Sequence, residues 1–440
     1  MDCPWSFYTE EIEDRLRQDD KSYLWSAVDS RSRIYSIAKF FLHKWCVSMK
    51  VRDSFSLNPV GNTSKYTDFI NYIDTSSVNA GLLSEVSFLE DEFPSRAQRL
   101  VRPGDILYSS VRPNLRHYYL YNDSYEHAVA STGFVLLRNN SSYNTRFAFY
   151  YLSTNEVVKY LSNIAELSQS TFPSFSSKDI GKIDLPDIDR KAQDQIVSIL
   201  SAYDNLIEVN NKRIKVLEQM AENLYKEWFV RFRFPGHEKA DFENGIPKGW
   251  AYRRADEVID FNPTLKTGNQ TEFTIIPMEA LSTNSMVLDS GCFVRQDSIS
   301  GRRSQNGDTL LAKITPCLEN GKTGFVMGMP ENEVLGGSTE FVVMRSKALT
   351  PHYVYCIARS YYFRQTAILS MNGADGRQRV DEDKLKSTKI LQPEKTVLDH
   401  FETIVTPIFD GVYQMVQENK NLIQQRDLLL PRLMSGKLEV

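Results

Sequence analysis

Seven basic residues stand beside short apolar runs or in Gly-rich stretches, and their type and spacing point to recognition chemistry. Arg112 and Arg116 flank Pro113-Asn114 directly after an apolar run, with the aromatic-rich His117-Tyr-Tyr119 behind them. Arg302, Arg303 and Lys313 occupy corresponding ground further along the chain, and Arg377 and Arg379 lie in a Gly-rich stretch where the backbone can approach a ligand closely. A guanidinium is a rigid planar fork that pairs bidentately with a phosphate or with the O6/N7 edge of guanine. Taken singly, each of these cations suits a solvated surface or an intramolecular salt bridge equally well. Taken together they form a candidate DNA-binding set, with cations for phosphates and planar donors for base edges.

Covalent chemistry is harder to find. Methylation of a flipped base by the chain itself needs an Asn/Asp-Pro-Pro-aromatic site, and only Asn58-Pro-Val60 and Asn262-Pro-Thr264 come near it. Both read as turns. Gly321-Lys-Thr323 imitates the end of a phosphate-binding loop, but Pro316 stands where that loop requires glycine. Cys46 with His43, and Cys356 with His352, sit at helical spacing without a third orienting group; partly buried thiols and surface imidazoles are the expected reading. The chain is expected to bind rather than to catalyse.

The elements that position the basic residues are duplicated. Gly104, Asp105, Leu107 and Pro113 match Gly307, Asp308, Leu310 and Pro316 at an offset of 307 − 104 = 203. Ala130-Ser-Thr-Gly-Phe-Val-Leu-Leu-Arg138 matches Gly337-Ser-Thr-Glu-Phe-Val-Val-Met-Arg345 at 338 − 131 = 207, and Asn58-Pro59 matches Asn262-Pro263 at 204. A kept order with a drifting offset is what loop insertions in a duplicated domain produce. In each copy a Gly-Asp turn opens a strand, Ile106 to Val111 or Thr309 to Ile314. A second strand follows at Phe134 to Leu137 or Phe341 to Met344, then an amphipathic helix from Thr145 or Pro351, then a run ending in Pro186 or Pro393.

A long helix follows each copy. Within Gln195 to Trp228, positions such as Leu200, Ile207, Asn210, Ile214 and Leu217 keep a 4-3 spacing, and within Phe401 to Leu433 so do Ile408, Met415, Asn419, Leu422 and Leu429. Apolar positions at 3.5-residue spacing with one buried-type Asn are the signature of paired helices, the Asn fixing register at a cost in stability. At ~1.5 Å per residue the first helix is ~50 Å long, enough to hold two domains apart.

The fold class is therefore α+β: two pseudo-repeated β-rich domains, each followed by a long helix, the two helices paired as an antiparallel coiled coil. The boundaries expected are an N-terminal extension over 1–44, domains over 45–190 and 241–394, and spacer helices over 191–234 and 395–436. Composition agrees with a folded protein: 440 residues, 41% hydrophobic, 25% charged, net charge −4, and five cysteines without a C-x-x-C pair, so reduced thiols in the cytoplasm are expected and no metal site. No run reaches the ~20 apolar residues of a membrane span.

This arrangement resembles the specificity subunit of type I restriction–modification systems. Asn244-Gly-Ile-Pro-Lys-Gly-Trp250 looks like the entry motif of that family's target recognition domains, and Gln425-Arg-Asp-Leu-Leu-Leu-Pro-Arg-Leu-Met-Ser-Gly-Lys-Leu438 looks like its C-terminal signature. The resemblance spans Trp45 to Val440 and implies two target recognition domains reading the halves of a gapped DNA sequence, on helices that also dock methyltransferase subunits. It further implies restriction/translocase partners, with S-adenosylmethionine, ATP and Mg held by partner subunits and no cofactor in this chain. Two departures stand out. Residues 1–44 precede the repeat, since Lys44-Trp45 matches Gly249-Trp250, and the first copy offers Ser168-Gln-Ser-Thr-Phe-Pro-Ser174 in place of Gly373-Ala-Asp-Gly-Arg-Gln-Arg379. A scaffold with two protein-binding domains and a fused recognition and methylation enzyme are the competing readings.

Overall fold

A computed structural model describes residues 49–59, 68–168, 172–373 and 376–434. The N-terminal extension, Lys44-Trp45, the Cys46/His43 pair and the final Ser435-Gly-Lys-Leu438 lie outside the described residues. Of the described residues, those up to Ser201 together with Leu428–Met434 form one compact unit, and Ala202–Asp427 form a second.

The first unit carries two four-stranded sheets. In one, Phe55–Leu57, Phe134–Asn139, Ile106–Ser109 and Tyr118–Leu120 lie side by side, all antiparallel. In the other, Ala128–Ser131 runs parallel to Phe69–Ile73 and antiparallel to Ala97–Leu100, and Ser87–Glu90 closes the far edge. Ile106–Ser109 is buried throughout, as its unbroken apolar run requires of a central strand. The helices Thr145–Leu152 and Asn155–Glu166 cover the first sheet through Phe147, Ala148, Val158 and Leu161.

The second unit repeats the plan. Ile259–Phe261, Phe341–Ser346, Thr309–Ala312 and Thr323–Phe325 form the equivalent antiparallel sheet, and Phe273–Ile276 pairs with Val294–Gln296 and, in parallel, with Gly336–Gly337. Both of the Asn-Pro pairs are turns: Asn58 and Asn262 have φ of +47° and +52°, a conformation Asn tolerates. Each Asn accepts a backbone N–H from the neighbouring strand, Leu136 N to Asn58 Oδ1 and Val343 N to Asn262 Oδ1, both 3.0 Å. The duplication extends to a buried ion pair. Arg138 clamps Asp105 in the first unit and Arg345 clamps Asp308 in the second, each at 2.6 Å with the Asp side chain only 1% exposed.

The long helices Arg190–Tyr225 and Lys395–Met434 run antiparallel, because contacts pair rising numbers on one with falling numbers on the other. In the second unit Arg426 bonds Asp204 at 2.8 Å, Asn210 bonds Asn419 at 3.0 Å, and Trp228 meets Phe401 at 5.9 Å between ring centroids. In the first unit Ile196 and Leu200 share a core with Leu430, Leu433 and Met434. Asp189 starts the first long helix, its carboxylate accepting Ala192 N at 3.0 Å. Of the seam positions, Leu200, Ile207 and Ile214 are buried, whereas Leu217, Ile408, Met415, Leu422 and Leu429 are only partly so. The spacing does not anticipate Phe409, which is fully buried against Phe325 and Tyr355. The second long helix thus has two apolar faces, one for its partner helix and one for the sheet domain of its own unit.

Asn210 and Asn419 form a closed polar group within this seam. Asn210 Nδ2 donates to Asn419 Oδ1 and to Glu418 Oε2 at 2.9 Å, and Asn419 Nδ2 donates to Asn211 Oδ1 at 2.9 Å. Asn419→Ala removes one of the two acceptors of the Asn210 amide, which is 1% exposed, and leaves it only Glu418 Oε2. It is expected to lower stability by about 1–3 kcal/mol in urea unfolding. Replacing both Asn by Leu is expected to recover that loss while admitting other registers.

Candidate nucleic-acid interface

Each unit brings three segments together around the end of its central strand. In the second unit, Lys313 N donates to Glu340 O, Val380 N to Lys313 O and Thr315 N to Gln378 O, at 3.0, 2.9 and 3.1 Å. In the first, Ser110 N donates to Gly133 O, Phe175 N to Ser110 O and Arg112 N to Pro173 O, at 2.9, 3.0 and 2.9 Å. The backbone framework is therefore the same. Pro173-Ser-Phe175 stands where Gln378-Arg-Val380 stands, so the loop that has no sequence counterpart has a structural one. What differs is the side chains: Ser110, Gly133 and Ser174 in the first unit replace Lys313, Glu340 and Arg379 in the second.

The second unit's cations are internally paired. Glu382 Oε1 accepts from Arg302 Nη2 at 2.8 Å and from Lys313 Nζ at 3.0 Å, and its Oε2 accepts from Asn262 Nδ2 at 2.8 Å. Arg379 grips Glu340 bidentately, Nε and Nη2 lying 2.8–3.1 Å from its oxygens. These hydrogen bonds, and then the charges of Arg379, Lys313 and Arg302, hold the Glu340 carboxyl below the usual carboxylate range. Arg303 donates to the carbonyl of Leu265. Arg377 is exposed beside Gly376 and meets no carboxylate among the described residues; residues 374–375 of its loop lie outside them. Arg302 is positioned by Gly301, whose φ is +71° and whose added Cβ would overlap the carbonyl of Gly337.

In the first unit Arg112 and Arg116 both adopt φ near +50°, bracketing the short turn Pro113–Leu115. Arg112 lies 5.5 Å from the Phe172 ring centroid, and Arg116 donates to Asn155. Of the aromatics behind them, Tyr118 is a core residue, its ring against Phe149, and so cannot face a ligand. Arg302 and Arg303 precede the Gly-Asp turn whereas Arg112 and Arg116 follow it, so the two sets are not strictly equivalent. The first-unit residue in register with Arg302 is Arg99, since Val101 N donates to Ala128 O as Ser304 N donates to Leu335 O. Arg99 escaped the sequence reading because it sits mid-strand with no flanking Gly or Pro. Its Nε is buried without a hydrogen-bond partner among the described residues, and burial lowers its pKa.

The remaining candidates for covalent chemistry are structural. His352 is buried rather than a surface imidazole, its Nδ1 2.7 Å from Glu402 Oε1 and its ring against Phe325 and Phe409. Burial pushes the Cys356 thiol up, away from the thiolate form. Lys322 donates to Met278 O and Thr323 opens a buried strand, so Gly321-Lys-Thr323 cradles nothing. Among the described residues no cluster of three metal-ligating side chains occurs, and no helix is long and apolar enough to cross a membrane.

One backbone framework is built twice with different side chains, and each copy leads into a long helix. Residues 47–219 match the family described as the type I restriction modification DNA specificity domain. The chain is 24% identical over 457 residues to the type I restriction enzyme HindI specificity subunit of Haemophilus influenzae, covering 87% of this chain and 99% of that protein. It is 23% identical over 307 residues to the MjaIX specificity subunit of Methanocaldococcus jannaschii, covering 67% of this chain and 69% of that one. The crystal structure of the S subunit of the M. genitalium type I system shares the fold, with a TM-score of 0.50 and 12% identity over 88% of this chain and 95% of that one. The chain is thus similar over most of its length to type I restriction–modification specificity subunits, and a role in DNA-sequence specificity is supported.

Proposed function

We propose that each unit reads one half of a gapped, bipartite duplex sequence, and that the paired long helices set the gap. The chain would then direct adenine methyltransferase subunits and an ATP-dependent translocating nuclease, which bring S-adenosylmethionine, ATP and Mg. The observation that carries this reading is the conserved backbone framework with exchanged side chains: Ser110, Gly133 and Ser174 against Lys313, Glu340 and Arg379. A fixed scaffold with variable tips is what two different base sequences demand of one fold.

The DNA contacts proposed are Arg112 and Arg116 in the first unit, and Arg302, Arg303, Lys313, Arg377 and Arg379 in the second. Exposed Arg377 is suited to phosphate, while the held Arg302 and Lys313 are suited to base edges. The test is fluorescence anisotropy of the chain assembled with methyltransferase subunits on duplexes containing the target. Arg377→Ala is expected to weaken cognate and non-cognate duplexes alike and to lower the salt slope by about one unit. Arg112→Ala is expected to weaken the cognate duplex selectively. An assembled complex that shifts no duplex DNA would overturn the reading in favour of a protein-binding scaffold.

A further inference from the structure

We infer that Glu382, backed by Glu340, is a specificity-determining positioning residue of the second unit: it withholds Arg302 and Lys313 from indiscriminate phosphate pairing. The inference deepens the proposed DNA reading and rests on it. Its basis is a contrast between equivalent positions. Asn58 and Asn262 share the same backbone bond to the neighbouring strand, but among the described residues only the second unit's amide Nδ2 meets a carboxylate, that of Glu382. The helices Ser177–Gly181 and Glu382–Ser387 correspond, since Ile180 and Leu385 are both fully buried, so Ser177 stands where Glu382 stands. Likewise Gly133 stands where Glu340 stands, as the carbonyl of each accepts the strand-end N–H, from Ser110 and Lys313 respectively. The second unit thus carries Lys313 and Arg379 where the first has Ser110 and Ser174, together with the carboxylates Glu382 and Glu340 where the first has Ser177 and Gly133, while Arg302 has a counterpart in Arg99.

The geometry makes this more than charge balance. Asn262 is fixed by the strand and fixes the Glu382 carboxylate. That carboxylate in turn receives two cations on a single oxygen, 2.8 and 3.0 Å away. The network is largely screened from water: the side chains of Lys313 and Glu382 are 14% and 23% exposed. A free lysine or arginine pairs with any phosphate and adds affinity without discrimination. A cation held by a partly buried carboxylate keeps further N–H donors that can meet a base edge while the pair stays intact, whereas following a phosphate would require it to leave that carboxylate unpaired at a desolvation cost. Glu382 and Glu340 therefore trade affinity for selectivity on one half of the target.

The experiment uses the full chain co-expressed with methyltransferase subunits. Modified adenines are sequenced across the genome, and duplex binding is titrated with salt. Glu382→Gln is expected to broaden one half of the methylated motif and leave the other half and the gap unchanged. It is also expected to steepen the slope of log affinity against log salt by about 1–2 as two cations reach phosphates. Glu340→Gln, whose partner Arg379 is half exposed and tolerates release into water, is expected to act on the same half. Asp383→Asn, which removes an equal charge outside the network, should keep the wild-type motif. An unchanged motif and slope in both Glu variants would overturn the inference. Equal loss of both halves with a lowered melting temperature would also overturn it, in favour of a structural role. Absence of any gapped motif in the wild type is a different failure, that of the proposed function itself.

Discussion

Inserting one heptad into each long helix, by repeating 203–209 in the first and 421–427 in the second, is expected to widen the gap in the methylated sequence by about three base pairs. Both half-sequences should survive. Seven helical residues add ~10.5 Å at ~1.5 Å per residue, and base pairs stack every ~3.4 Å. The insertion leaves Asn210 opposite Asn419 and keeps Leu200 and Leu433 in the first unit's core. A heptad falls only ~20° short of two whole turns, which a paired seam absorbs. A one-residue insertion turns the helix by ~100° and moves the seam off its partner, so it is expected to abolish modification. Altered half-sequences at an unchanged gap, found by sequencing modified adenines, would count against the helices as the spacer.

Asp308→Ala is expected to destabilise the second unit by about 3–5 kcal/mol, because it leaves the clamped Arg345 guanidinium without its anion in a largely dry site. Asp308 accepts Arg345 Nε at 2.8 Å and Nη2 at 2.6 Å, and also Gln305 N at 2.8 Å, so one carboxylate fixes both the turn and the neighbouring strand. Asp105 does the same in the first unit with Arg138 and Arg102 N. Replacing Asp308 and Arg345 together by Leu and Met should cost far less than Asp308→Ala alone, since no buried charge is then unpaired. Hydrogen exchange resolved by segment is the suitable measurement. Asp105→Ala should lose protection in 106–139 and Asp308→Ala in 309–346, and loss confined to the opposite segment would contradict the assignment.

The duplication was legible because the residues that build it are local: Gly104-Asp105 and Gly307-Asp308 must turn, and an apolar run must follow. The ion partners Arg138 and Arg345 lay inside the matched segments but read as strand ends, since nothing local says that an Arg reaches across a sheet. The helix seam was legible through its spacing, including Asn210 opposite Asn419. Phe409 was not, because its partners Phe325 and Tyr355 come from a distant sheet and helix and obey no helical period. The seven basic residues stand out by type and spacing, whereas Glu382 and Glu340, which pair with three of them, do not. An acidic residue at a helix start reads as an ordinary favourable charge near the helix terminus. Pro173-Ser-Phe175 and Gln378-Arg-Val380 fall in the register that sets Ser168–Ser174 against Gly373–Arg379, but their residues differ at every position, and only the backbone hydrogen bonds show the two segments to be equivalent.

Under the proposed function, two units of one chain read two separated sequences. The most direct measurement is base-resolved sequencing of modified adenines in cells expressing this chain with methyltransferase subunits whose activity is verified with an unrelated specificity subunit. The expected result is one motif made of two short defined sequences separated by a fixed number of unspecified base pairs. A single uninterrupted motif, or unmodified DNA despite the active methyltransferase, would contradict it.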